Sequence, residues 1–88
     1  MNRNIILRVE IVREDDLFVA ICPDLQVSSF GETVDEARSS IKEAIEAFLE
    51  ECERMATLDE VLEEAGFTES SGCWLPRQPV SSELIPVN

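Results

Sequence analysis

Between Val34 and Cys52, apolar side chains return every three or four positions: Val34, Ala37, Ile41, Ala44, Ile45, Phe48, Leu49 and Cys52. At 3.6 residues per turn they gather on one stripe, while Asp35, Ser39, Glu43, Glu46, Glu50 and Glu53 point away from it. Such a helix draws its stability from whatever covers the stripe, so the chain must supply a sheet face for it to sit on. Just upstream, Thr33 and Glu36 make a Thr-x-x-Glu capping box. Each side chain is expected to accept from the other's backbone N–H and fix the helix start at Val34.

The segments before the helix have the period of strands. Ile5, Leu7, Val9 and Ile11 alternate with Ile6, Arg8, Glu10 and Val12, which predicts a strand with one buried and one mixed face. "REDD" (13–16) makes a polar turn, and "LFVAIC" (17–22), apolar on both faces, suits a central strand beside its hairpin partner. Pro23 and Asp24 end that strand as a turn, or offer Asp24 as a contact; Gln26 to Phe30 forms a third strand before Gly31 releases the chain. A second capping box, Thr57 to Glu60, opens the short helix "LDEVLEEAG", with Gly66 as its left-handed stop and Phe67 folding back on the helix end. Residues 68–79 read mostly as turn. Val80 to Val87 read as a closing strand, which Pro86 confines to a sheet edge.

The predicted architecture is one α+β domain over residues 1–88. A three-stranded antiparallel meander and a long helix fill 1–53; a short second helix and a closing edge strand fill 54–88, in the order βββααβ. A chain this short has a core near the lower limit for independent folding, and its doubly apolar strand at 17–22 points to a homodimer or higher oligomer.

Seven bases against nineteen acids leave a formal charge of −12, which argues against direct contact with nucleic acid or anionic lipid and favours a basic partner. The excess is densest from 43 to 64, where Glu43, Glu46, Glu50, Glu51, Glu53, Asp59, Glu60, Glu63 and Glu64 face the single base Arg54. Glu50 and Arg54 stand at i,i+4, the spacing of an ordinary helix pair. No segment is long and apolar enough to span a bilayer, and the N-terminus lacks the pattern of a signal peptide, so a cytoplasmic location is expected.

Catalytic constellations are thin. With no His, neither a nucleophile elbow nor a Cys/His zinc site can be assembled, and Cys22, Cys52 and Cys73 stand 30 and 21 positions apart with no Cys-x-x-Cys pair. They read as structural thiols in a reducing compartment. A Mg²⁺ nuclease site needs converging carboxylates, and the predicted strands offer only Glu10, Asp24 and Glu83. No catalytic residue, cofactor or metal is expected. Trp74, in a polar segment, either plugs the edge of the core or anchors a partner.

The stretch "LFVAICPDLQVSSFGETVDEARSSIKEAIEAFLEE" resembles the core of the HicB antitoxin family: an apolar strand, Cys-Pro-acid-Leu, a short strand, Gly-acid-Thr, then acid-Glu-Ala and a helix ending in an apolar-Leu-Glu run. The matching positions are Pro23, Asp24, Leu25, Gly31, Thr33, Glu36, Ala37, Ile41, Ala44, Ile45 and Leu49, within about two fifths of the chain. The resemblance implies a degraded ribonuclease H-like α+β domain that binds and neutralises HicA, a small basic mRNA-cleaving toxin, by covering its RNA-binding surface. Fuller members of that family add a helix-turn-helix or ribbon-helix-helix module that binds DNA. Here residues 54–88 hold a short acidic helix and a Pro-punctuated tail whose only bases are Arg54 and Arg77, so direct DNA binding is not expected. Candidate partner-binding residues are Asp24, Glu43, Glu46, Glu50 and Trp74.

Overall fold

The computed structural model describes residues 4–88. Strands β1 (Asn4–Ile5), β2 (Glu10–Glu14), β3 (Leu17–Cys22) and β4 (Val27–Gly31) precede helices α1 (Val34–Arg54) and α2 (Leu58–Glu64); strands β5 (Thr68–Ser70) and β6 (Cys73–Leu75) follow. The fold is α+β. β2, β3 and β4 form the antiparallel meander, while β6 lies between β1, to which it is parallel, and β5, to which it is antiparallel.

The single first strand expected over 5–12 is divided between the two sheets. Residues 4–5 pair with β6, residues 10–14 pair with β3, and 6–9 belong to neither ladder, although the Ile6 N–H still donates to the Trp74 carbonyl at 2.9 Å. The period of two survives the division, because Ile5, Leu7, Val9 and Ile11 all face α1 across one groove. One extended run thus joins both sheets.

Turn chemistry sets the register of the meander. A two-residue loop joins Glu14 to Leu17 with Asp15 at φ 54, and a four-residue loop joins Cys22 to Val27 with Gln26 at φ 57. Both residue types tolerate the left-handed region at a short polar turn. In the resulting register Ile11, Ala20 and Ser29 form a row on the inner face, while Val12, Val19 and Phe30 form a row on the outer one.

Helix α1 lies over β3 and β4 on the inner face. Ala37, Ile41, Ile45, Leu49 and Cys52 are buried there; Ala44 and Phe48 are half-buried, and Val34 at the helix start is exposed. The Glu36 N–H donates to Thr33 Oγ1 at 3.0 Å, but the Glu36 carboxylate takes the Thr33 hydroxyl at 3.3 Å in place of the Thr33 N–H, so the first capping box is half made. Close approach of helix and sheet depends on Gly31. A Cβ there would lie 2.5 Å from the Ala37 nitrogen and 2.7 Å from the Glu36 Cβ. Space, rather than a left-handed turn, demands the glycine.

Both helices end in the same motif. At α1 the Thr57 N–H reaches the Cys52 carbonyl and the Ala56 N–H reaches Glu53; at α2 the Phe67 N–H reaches Leu62 and the Gly66 N–H reaches Glu63. The residue in the left-handed position is Ala56 (φ 59) in the first and Gly66 (φ 91) in the second, where Phe67 folds back into the core as expected. The second capping box does not form: Thr57 has no cap bond to α2, and its hydroxyl donates back to the Cys52 carbonyl at 3.3 Å. The end of α1 competes successfully for that side chain.

The C-terminal expectations are overturned. Residues 68–75, expected to be turn, form the β5–β6 hairpin, with Ser71 (φ 51) and Gly72 (φ 79) as the two-residue turn whose positive φ values match strand twist. Val80 to Val87 make no strand; every residue from 79 to 88 is exposed. The hairpin buries Trp74 with Leu58, Leu62 and Phe67, completing the core.

Replacing Gly31 by Ala should lower the unfolding free energy by about 1–3 kcal/mol, because the new methyl meets backbone that cannot move alone. Ala56→Gly should raise it by up to about 1 kcal/mol by relieving the left-handed alanine. Denaturant midpoints at constant slope would check both.

Candidate functional site

The exposed side of α1 follows from its buried side. With the apolar stripe fixed on the sheet, Glu43, Glu46 and Glu50 stand within one narrow sector of the helix crest, all exposed. The other six acids between 43 and 64 are exposed as well. Arg54 pairs with Glu51, at i,i+3, and not with Glu50 as the spacing had suggested. Glu50 therefore keeps its charge facing outward.

The crest is flanked by two depressions. Glu46 borders the groove between α1 and the N-terminal run. Glu43 borders a cleft of about 690 Å³ on the opposite flank, where Glu32, Asp35 and Glu36 rim an apolar floor containing Leu17 and the 63% exposed Phe30. Arg38 partly offsets this rim through a 2.6 Å bond to Asp35. Acidic rims over apolar floors suit Lys or Arg, whose aliphatic stems cover apolar surface while their charged ends meet carboxylates. The cleft was missed in the sequence. Its signal was Phe30 itself, an aromatic on the outer face of a strand just before a Gly-acid-Thr helix start.

Asp24 is half-buried, with its side chain covered, and Trp74 belongs to the core. The Asp24 side chain is 5% exposed and lies 3.5 Å from Arg8 Nη1, while Arg8 Nη2 donates to the Arg77 carbonyl at 2.9 Å. One guanidinium thus ties the β3–β4 turn, the N-terminal run and the segment after β6. Trp74 is 5% exposed, so of its two expected roles it fills the core; its Nε1 has no partner among the described residues. Neither side chain joins the crest.

Carboxylates do not converge elsewhere. Glu10 is exposed on β2, Asp24 is held by Arg8, and Glu83 lies in the exposed tail. Among the described residues no cluster of three or more His, Cys, Asp or Glu side chains is placed to hold a metal, and no helix is long and apolar enough to cross a membrane. The thiols of Cys22, Cys52 and Cys73 are free. Burial pushes the Cys22 thiol up, against the backbone N–H groups of Leu25 and Asp24, which favour the thiolate. No protein-family model, curated protein or solved structure matches the chain.

Asp24→Ala should cost about 1–3 kcal/mol of stability, since it strips the partly buried Arg8 of its carboxylate, and equilibrium unfolding would measure it. Cys22 predicts a pH dependence. A native pKa above the unfolded one leaves its contribution whole below the unfolded value, 9.0, and removes it as pH rises through the native value. Unfolding free energy should therefore decline above pH 9, and less steeply in Cys22→Ala.

Proposed function

We propose that this protein is a HicB-like antitoxin that neutralises a small, basic, RNA-cleaving toxin by occluding its RNA-binding surface. It acts by binding and not by catalysis. The observation that carries this reading is the crest of Glu43, Glu46 and Glu50 running into the acid-rimmed cleft beside Phe30. Such a surface imitates the charge of an RNA backbone, so it competes for the same Lys and Arg side chains that a ribonuclease uses to hold its substrate. The resemblance of residues 17–51 to the HicB core supports the identity of the partner.

A second reading, a homo-oligomeric interaction module without a toxin, is favoured by the outer row Val12–Val19–Phe30, whose two ends are exposed. The readings separate in one experiment. Purified protein is mixed with a small basic HicA-type ribonuclease, and cleavage of a labelled RNA is followed. Neutralisation predicts that cleavage stops at stoichiometric mixing; unchanged cleavage leaves the homo-oligomeric module.

Replacing Glu43, Glu46 and Glu50 together by Gln should slow association about tenfold at low salt while leaving the circular dichroism spectrum unchanged, because Glu and Gln have similar helix propensity. Raising salt toward 1 M, where the Debye length is about 3 Å, should erase the difference. Association indifferent to both changes would make the acidic crest a solvated surface only.

A further inference from the structure

Among the described residues, a partly open apolar groove and an exposed apolar tail are complementary. The first is a groove of about 530 Å³ between the N-terminal run and α1, with Leu7, Val9 and Ile11 along one wall and Ile41 and Ile45 along the other. Its rim holds Arg38 and Lys42, two of only seven bases in the chain, with Glu46 beside them. Arg38 is bonded to Asp35, whereas Lys42 has no ion pair with any described residue. In a molecule of charge −12 this rim is an unusual basic place.

The second surface is the tail after Pro79. Val80, Leu84, Ile85 and Val87 are 104%, 101%, 71% and 87% exposed, so they touch almost nothing in their own chain. Four such side chains within eight residues are more apolar surface than a solvated tail needs. Pro79 and Pro86 restrict the backbone at both ends, which lowers the entropy lost when the segment is held in a groove. Glu83 precedes the apolar pair and carries the charge opposite to Lys42; among the described residues it accepts from Ser81, at 2.5 Å.

We infer that residues 80–87 of one copy lie in the groove between the N-terminal run and α1 of a second copy, with Leu84 and Ile85 on the apolar walls and Glu83 at Arg38 and Lys42. The exchange is reciprocal. The tail leaves the domain where Arg8 holds the Arg77 carbonyl, and Arg8 alternates along the same run with Leu7 and Val9 of the groove. A two-fold axis there lets both tails cross, the self-complementary arrangement of a closed dimer. Glu43 and Glu50 of the crest and the cleft beside Phe30 stay open to a further partner, while Glu46 borders the filled groove.

The test uses the full chain alone, with no toxin present. Sedimentation equilibrium at micromolar concentration should give a dimer, and the double substitution Leu84→Asp with Ile85→Asp should give a monomer with an unchanged circular dichroism spectrum and an unfolding midpoint that no longer depends on protein concentration. Lys42→Glu should raise the dimer dissociation constant about tenfold, and adding Glu83→Lys should restore it to within about threefold. In a mixed sample of labelled and unlabelled chains, isotope-filtered spectra should show the Ile85 methyls of one copy against Leu7 or Val9 of the other. A monomeric parent chain, a dimer that survives the double substitution, or Ile85 contacts within a single copy would each overturn the inference.

Discussion

The structure depends on the contact between one helix stripe and one sheet face. Ala37, Ile41, Ile45 and Leu49 can be buried because the strands beneath them present Ala20, Ser29 and Gly31 as well as larger side chains, so that the α1 backbone comes close at its first turn. Interiors pack to near-crystal density, and a small residue under a helix fixes height and rotation together. Once rotation is fixed, the positions of Glu43, Glu46 and Glu50 are fixed too. The acidic crest is therefore anchored at fixed positions along the helix.

A second constraint is economy. With 88 residues the chain builds one core, and its N-terminal run serves both sheets by changing partners between Ile5 and Glu10. Arg8 stands at the change, joining Asp24 in one sheet's turn to the Arg77 carbonyl beyond the other sheet. Helix α1 covers the inner side of the meander, and Val12 and Phe30 on the outer side remain exposed. Such a molecule offers a large share of its surface for binding.

Much of this was legible in the residues, and the exceptions have physical reasons. The α1 period, the Thr33 cap, the 17–22 strand and the Gly66 stop are strong local signals that tertiary structure had no cause to override. The β5–β6 hairpin was missed because its strands are three residues long, and Thr68, Glu69 and Ser70 are polar and exposed. Only Ser71–Gly72 marked it, by an ability to take positive φ. Conversely, Val80 to Val87 looked strand-like because apolar spacing carries no information about whether a partner edge exists within the same chain. The acids of the crest could be counted from composition. Burial of Asp24 and Trp74 could not, since both depend on Arg8 and on α2 arriving from distant parts of the chain.

The central claim is that the crest of α1 and the cleft beside Phe30 form the partner-binding surface. Amide chemical-shift mapping tests it most directly, with labelled protein titrated by a small basic HicA-type ribonuclease. The account predicts that the largest changes fall at Glu32, Asp35 and Glu36 and along α1 at Glu43, Glu46 and Glu50, while Val12, Val19 and Ile21 on the outer sheet face are little affected. Changes confined to that outer face, with the α1 amides unmoved at saturation, would contradict it.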